Sequence, residues 1–253
     1  MNVSMNISKT GMTSQQRALD AISHNIANVN TDGYKAKTTS FRALMNNEIT
    51  EQDVLLNEDN QPSAITAGVR SDVTGTDFRQ GSLTGSSRNL QLAIAGEGFF
   101  GVEDASGQFQ LTRDGSFTRN GFGQIVNGNG DRLMMQTIVP PTQWPVGPIA
   151  VAEDGTVSIQ GEEGTVQVGN VPVYLPENDQ QLVAVGENKY ILADGEAPIA
   201  PGGRIQQQFI EASNVNLADE MTSMMVAQRA YSLNVKVAQS TDELMTMINQ
   251  FNR

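Results

Sequence analysis

Gly96-Glu97-Gly98-Phe99-Phe100-Gly101 has the G-x-G-x-x-G spacing of loops that wrap backbone N–H groups around a dinucleotide pyrophosphate. That chemistry needs a helix to open directly after the loop, so that its positive dipole end meets the phosphate. Here Phe100 to Val102 reads as strand and a turn follows at once, so the glycines are expected at tight β turns or bulges. The single histidine, His24, sits between Ser23 and Asn25 without the paired nucleophile and acid that a catalytic triad requires. It reads as a polar helix-face residue. Asp114, Asp131, Asp154 and Asp194 each adjoin a glycine. Carboxylates of this kind could serve glycoside hydrolysis or calcium binding, but no EF-hand spacing is present and Asp-Gly is ordinary turn chemistry. Met221, Met224, Met225, Met245 and Met247 could line a soft-metal or promiscuous groove, yet methionine at helical spacing is first of all packing. With no cysteine, thiolate metal sites, disulfides and thiol catalysis are excluded. No catalytic, metal or cofactor-binding residue is expected, and the chain does not read as an enzyme.

What remains is the positioning frame itself, and its charge is unevenly placed. The chain has 253 residues and a net charge of −12. Residues 38–213 hold 22 acidic and 9 basic side chains, whereas the two ends together hold 6 and 7. An acidic middle between near-neutral ends gives no footprint for nucleic acid or an anionic membrane. No apolar run reaches the roughly 18 residues of a membrane helix. The opening Met1-Asn2-Val3-Ser4-Met5-Asn6-Ile7 lacks a basic n-region and a continuous apolar stretch, so a cleaved secretory signal is not expected.

Both ends read as long helices with a seven-residue period. In residues 1–37, Met5, Met12, Leu19 and Ile26 recur every seven positions, with Ile22 and Val29 as the companion seam. Ser8 and Gln15 are polar seam positions, and Gly11 weakens the isolated helix. The turn formers Asn28 to Gly33 stop it. In residues 214–253, Asn216 is an N-cap followed by Asp219 and Glu220 at the positive end of the dipole. Met224, Tyr231, Ala238 and Met245 recur every seven, with Leu217, Met221, Gln228 and Val235 as the other seam. Val226, Leu233, Val237, Leu244, Ile248 and Phe251 add a second apolar face, which implies more than one neighbouring helix.

Residues 38–80 read as an irregular or extended connector. Residues 81–213 read as short strands punctuated by turns such as Asp104 to Gly107, Asn120-Gly121 and Asn127 to Gly130. This is one β-rich body, or two subparts divided near 140–148. The expected fold is α+β, mainly β: an antiparallel β body flanked by N- and C-terminal α-helices that pair as a coiled coil. Helices of about 27 residues, roughly 40 Å long, are marginal alone and gain order from packing.

Longer motifs carry a family resemblance. Ser23-His24-Asn25-Ile26-Ala27-Asn28-Val29-Asn30-Thr31-Asp32-Gly33-Tyr34-Lys35 resembles the N-terminal signature of bacterial flagellar rod and hook proteins. Glu211 to Leu217 and Met224 to Tyr231 resemble the C-terminal signature, and Gly96 to Phe100 and Thr112 to Phe117 resemble β-domain motifs. The size of the β body and the Ser213-Asn214-Val215-Asn216 run point to a distal position in the rod, with a proximal rod subunit or a hook-basal-body paralogue as the alternatives. The resemblance implies a self-assembling structural subunit of the flagellar basal body, exported unfolded through the type III apparatus. It implies other rod and hook proteins as partners, and ring proteins where the envelope has them, with no nucleic acid, small-molecule substrate or cofactor. On it, Met5, Met12, Leu19, Ile22, Ile26, Val29, Leu217, Met221, Met224, Gln228, Tyr231, Val235 and Met245 form the assembly seam. Asn28, Asn30, Gly33 and Tyr34 form a joint between helix and body. A β-rich surface-binding module, which would need an exposed aromatic platform, and a hydrolase with paired aspartates are the readings set against it.

Overall fold

The computed structural model describes residues 2–45, 66–161, 164–176, 178, 181–192 and 203–251. The chain forms two compact units. The first comprises Met1–Ala27, Lys37–Thr76 and Asn216–Arg253, and the second Asn28–Ala36 and Asp77–Val215.

In the first unit, helix α1 (Asn2–Ala27) and helix α2 (Leu217–Phe251) accompany the antiparallel strands β1 (Lys37–Met45) and β2 (Thr66–Thr76). The helix bounds follow local chemistry. At the end of α1, Asn28 C=O accepts from the Thr31 N–H at 3.1 Å, and Gly33 takes φ +68°. Its left-handed backbone and the collision of any added Cβ with Arg113 and Asp114 make glycine the residue for this position. At the start of α2, Asn216 Oδ1 accepts from the Ala218 N–H at 3.1 Å, as an N-cap does. The stretch 38–80, expected as an irregular or extended connector, carries the paired strands β1 and β2 in its described parts; residues 46–65 of it lie outside the described residues.

The second unit is built from short antiparallel strands. In chain order these are β3 (Leu83–Gly85), β4 (Leu92–Ala95), β5 (Phe99–Glu103), β6 (Phe109–Thr112), β7 (Thr118–Arg119), β8 (Ile125–Val126), β9 (Arg132–Leu133) and β10 (Gln136–Thr137). There follow β11 (Ile149–Val151), β12 (Thr156–Gly161), β13 (Gly164–Asn170), β14 (Val173–Tyr174), β15 (Leu182–Gly186), β16 (Lys189–Leu192), β17 (Arg204–Gln207) and β18 (Phe209–Glu211). One sheet runs β15-β16-β6-β5-β9-β8-β7, with β14 also on β5, and a second runs β10-β13-β12-β11. The last two strands return to the first two, β17 on β4 and β18 on β3.

A recurring turn shapes the first sheet. Asp104, Asn120 and Asn127 each accept, through Oδ1, from the backbone N–H groups two and four residues on. A glycine three residues on (Gly107, Gly123, Gly130) takes a φ of 82–91° in each. This is a tight turn closed by a left-handed residue. The turn expected at Asn120-Gly121 is of this kind, with Gly123 as its left-handed residue.

One core holds the unit together. Phe100, Val102, Phe117, Ile125 and Leu133 pack with Trp144, Ile149, Val157, Ile159, Val168 and Ile205. Residues on both sides of the proline-rich stretch 140–148 contribute to it. Phe100 and Phe117 meet edge to face, their centroids 5.5 Å apart. Burying each such side chain contributes about 1.5–3 kcal/mol. A smaller cluster gathers Phe99, Leu111, Tyr174 and Tyr190 with Phe78 and Phe109 around it.

Candidate assembly interface

Within the first unit the two helices run antiparallel in a fixed register. Gly11 faces Asn234, where an added Cβ would lie 2.9 Å from Nδ2. Asn25 donates to Glu220 Oε1 at 2.9 Å. The two pairs are fourteen residues apart along each helix. Ala230 and Val235 apart, the less exposed positions on α2 are Glu220, Met224, Ala227, Tyr231, Asn234, Ala238, Thr241 and Met245. They alternate by four and three, a full heptad stripe. It contains the expected Met224, Tyr231, Ala238 and Met245. The companion positions are small or polar and fall one residue before Met221, Gln228 and Val235. Of the remaining seam residues, Ile22 is buried; Met12, Leu19, Ile26, Val29 and Val235 are half-buried; Met5, Leu217, Met221 and Gln228 are exposed.

Helix α1 is narrow because small residues line it. Ser8, Ser14, Ala18 and Ala21 are buried beside Ile22 and Asn25. One row of them meets strand β2. Ser14 Oγ donates to the Val69 carbonyl at 3.0 Å and accepts from the Ser71 N–H at 3.1 Å. Arg17 Nη1 donates to the Ser71 carbonyl at 2.9 Å, and Thr10 Oγ1 accepts from the Val69 N–H at 3.4 Å. Residues at i, i+4 and i+7 of a helix thus satisfy the edge of β2 that faces away from β1, and shield it from strand pairing. Asn25 does the same for β1. Its amide donates to the Lys37 carbonyl at 3.0 Å and accepts from the Lys37 N–H at 2.8 Å, as a strand partner would.

The adjoining side of α2 has no such cover. Val226, Leu233, Val237, Leu244, Ile248 and Phe251 are all exposed, Leu233 at 61% and Phe251 at 89%. Val226, Leu233, Val237, Leu244 and Phe251 repeat by seven and four, with Ile248 beside them at the heptad position of Thr241, so they form a second stripe along about 25 residues of one helix, roughly 38 Å. A continuous apolar stripe of this length on a soluble surface marks an interaction site.

The segment expected as a joint folds with the second unit. The Gly33 N–H donates to the Glu211 carbonyl at 2.7 Å, and the Ala36 N–H to Asn214 Oδ1 at 2.8 Å. Asn214 Nδ2 donates to the carbonyls of Asp77 (2.7 Å) and Arg79 (3.1 Å). Tyr34 is buried, Asn28 half-buried and Asn30 exposed. Below them lies a fully buried ion cluster. The Glu211 carboxylate accepts from Lys35 Nζ at 2.6 Å, from Arg113 Nη1 at 3.1 Å and from the Gly81 N–H at 2.9 Å. Lys35 also donates to the Arg79 carbonyl, and Arg113 to the Gly96 carbonyl while lying over the Phe99 ring. Burial pulls the Lys35 ammonium below its usual range; the Glu211 carboxylate opposes that and the Arg113 charge adds to it. Spacing did not point to these residues, but Asn25, Lys35, Arg113, Glu211 and Asn214 all stand inside the motifs that carry the family resemblance.

The residues that could have done chemistry have structural partners instead. Gly98 lies where a side chain would strike Val173, and Gly101 is in strand β5, where a phosphate loop would need a helix. Asp114 and Asp154 accept from backbone N–H groups two residues on. Asp131 pairs with Lys189 at 2.8 Å. Asp194 lies outside the described residues. Among the described residues no group of three or more metal-ligating side chains converges.

Comparison with known proteins gives consistent matches from end to end. Residues 5–35 match the family described as flagella basal body rod protein. Residues 93–159 match the flagellar hook protein FlgE/F/G D1 domain, and residues 206–251 the flagellar basal body rod FlgEFG protein C-terminal family. The flagellar basal-body rod protein FlgG of Buchnera aphidicola subsp. Baizongia pistaciae is 34% identical, over 96% of this chain and 97% of its own. That of Borreliella burgdorferi is 30% identical over 96% of each. The flagellar basal-body rod protein FlgF of Caulobacter vibrioides is 32% identical over 90% of this chain and 89% of its own.

Proposed function

The chain belongs to the flagellar basal-body rod protein family, and from that premise we propose that it is a distal-type rod subunit that assembles helically through the exposed stripe of α2. As a member of that family it is a structural component of the flagellar basal body and not an enzyme. The single observation that carries the assembly reading is the row Val226, Leu233, Val237, Leu244, Ile248 and Phe251, left in water by the isolated protomer. Apolar area of this kind is stabilising only when a neighbour covers it. A heptad row is best covered by another helix, so neighbouring copies join it as a coiled coil. Repetition of a head-to-tail contact that does not close yields a helical array. Met5, Leu217 and Met221 extend the exposed surface available to neighbours.

In this reading other rod and hook proteins continue the same array above and below, and the chain reaches it through the type III export apparatus. Ring proteins surround it where the envelope has them. A surface-binding module is disfavoured by Trp144, the one tryptophan, which is buried and donates to the Val139 carbonyl at 2.8 Å. The test is electron microscopy of concentrated protein beside Leu233→Asp. Filaments or tubes from the parent chain and none from the variant are expected; arrays formed equally by both would reject the stripe as the assembly surface.

A further inference from the structure

An asparagine followed by glycine can be attacked by its own chain, because the glycine nitrogen has no Cβ beside it to keep it away from the asparagine Cγ. The chain has three such pairs, Asn120-Gly121, Asn127-Gly128 and Asn129-Gly130, all in the turns on either side of β8. The first two stand in matching frames. Asn120 Oδ1 accepts from the Phe122 and Gln124 N–H groups at 3.0 and 2.9 Å, and Asn127 Oδ1 from those of Asn129 and Asp131 at 3.0 and 2.9 Å. Two donors on one amide oxygen polarise its carbon and stabilise negative charge that develops on the oxygen. Gly121 and Gly128 are both exposed, and no hydrogen bond among the described residues engages either N–H.

The frames differ at the amide nitrogen. Asn127 is buried, and its Nδ2 donates at 2.8 Å to the Asp131 carboxylate, which Lys189 also holds at 2.8 Å. Asn120 is half-buried, and its Nδ2 donates to the neutral Gln124 Oε1 at 3.3 Å. A charge-assisted bond is the stronger of the two, so the Asn127 amide is pinned while the Asn120 amide turns toward its glycine at less cost. In the third pair the nucleophile is engaged, since the Gly130 N–H donates to the Asn127 carbonyl at 3.2 Å.

We propose that Asn120 is a self-modification site that deamidates in the folded chain, and that Asn127 is its protected twin. Solvent hydroxide takes the Gly121 N–H proton, and the nitrogen forms a bond to Asn120 Cγ. The Cγ–Nδ2 bond breaks, and Nδ2 leaves as ammonia with a proton from water. Water then opens the resulting succinimide ring at one of its two carbonyls. Opening at Cγ gives aspartate; opening at the backbone carbonyl gives isoaspartate, with the chain running through Cγ. The net change is water in and ammonia out. Aspartate suits this frame, as Asp104 shows by accepting from the Ser106 and Gln108 N–H groups. Isoaspartate adds a carbon to the main chain and moves the acceptor away from the Phe122 and Gln124 N–H groups, which loosens the short β7–β8 hairpin and its exposed tip, Phe122. The reaction runs one way, so the converted fraction records how long a chain has stood in water. It does not depend on how copies assemble.

The experiment is peptide mapping by mass spectrometry of the native full chain, sampled over time at mildly alkaline pH. Conversion at Asn120 is expected to be at least about tenfold faster than at Asn127 or Asn129. In denaturant the gap should close, because the local order that separates the sites is gone. Similar native rates at the three sites, or a faster Asn127 or Asn129, would overturn the proposal. A gap that survives in denaturant would assign the difference to sequence in place of fold, and would overturn it as well. Gln124→Asp gives Asn120 Nδ2 the carboxylate partner that Asn127 has, and should slow native conversion at Asn120 by about tenfold. A parent-like rate in that variant, with the folded emission of Trp144 retained, would count against the mechanism; if the variant fails to fold, the native and denatured rates of the parent chain decide.

Discussion

The two units bury different things. The β unit closes a core of large apolar side chains, with Phe100, Val102, Val157, Ile159 and Val168 fully out of water. The helical unit is joined inside largely by small and polar residues, Ala18, Ala21, Ser14, Asn25, Ala227 and Thr241, with Ile22 buried and Met224, Tyr231 and Met245 half-buried among them, and leaves Val226, Leu233, Val237 and Leu244 of α2 exposed. The first arrangement is a finished core. The second differs: close approach and hydrogen bonds specify the protomer, and in the proposed assembly the exposed hydrophobic surface is covered by neighbours. An apolar inner seam on both faces of α2 would let the helices slip in register, because apolar contact is non-directional. Asn25 and Asn234 fix the register instead, and in the proposed assembly the outer stripe supplies the association energy.

The largest test of this contrast is a pair of truncations. Phe100→Ala should destabilise the β unit by about 3–5 kcal/mol. Leu233→Ala, an equally apolar deletion, should change protomer stability by less than about 0.5 kcal/mol. Trp144 reports the β unit in denaturant titrations, and helical circular dichroism reports the helical unit. Equal losses would mean that α2 is already covered in the protomer. The next effect is that of Asn25→Ala. It orphans both backbone groups of Lys37 and the Glu220 carboxylate, and should cost about 1–3 kcal/mol. The helical signal should melt earlier while the Trp144 midpoint stays in place. A shift of both midpoints together would show one cooperative fold in place of two.

How much of this was legible from the residues varies with the kind of signal. The bounds of α1 and α2 followed from heptads, the Asn216 cap and the Asn28–Gly33 stop, because periodicity and caps are local. The outer stripe of α2 was legible for the same reason. Strands β1 and β2 were not. Lys37-Thr38-Thr39-Ser40-Phe41 and Thr66-Ala67-Gly68-Val69-Arg70-Ser71 show no period-two apolar pattern, because what holds them is hydrogen bonding from Thr10, Ser14, Arg17 and Asn25. Glu220, Ala227, Asn234 and Thr241, which face α1, were not legible because they carry no hydrophobic signal, although they too repeat every seven. The turn at Asn120-Gly121 was legible from its dipeptide, whereas the choice of Gly123 as its left-handed residue was not. The cluster at Glu211 joins residues up to 176 positions apart, which no local pattern encodes.

Gly11 sharpens the contrast at a smaller scale. In an isolated helix Gly11→Ala would gain about 1 kcal/mol. Here the new Cβ meets the Asn234 amide at 2.9 Å, so Asn234 must swing away. The single variant should therefore be near neutral, and Gly11→Ala with Asn234→Ala should recover a gain of about 0.5–1 kcal/mol in the helical melt. If the single variant alone gives the whole gain, the helices do not approach as closely as this register requires.

The smallest effect concerns pH and belongs to the β unit alone. Burial raises the Asp32 carboxyl above its ordinary 3.8, the Asp114 charge adds to the rise, and the Ser116 hydroxyl opposes it. A raised carboxyl binds its proton more tightly when folded, so the ionised form weakens the fold. That penalty is present above the folded value and disappears as pH falls to about 3.8 and below. Asp32→Asn should accordingly raise the Trp144 midpoint at neutral pH, by a modest amount because the group is largely solvated, and the advantage should vanish near pH 3.8. The helical transition, which contains neither Asp32 nor Asp114, should stay unchanged throughout. An advantage that persisted below that pH would assign the effect to amide hydrogen bonding in place of charge.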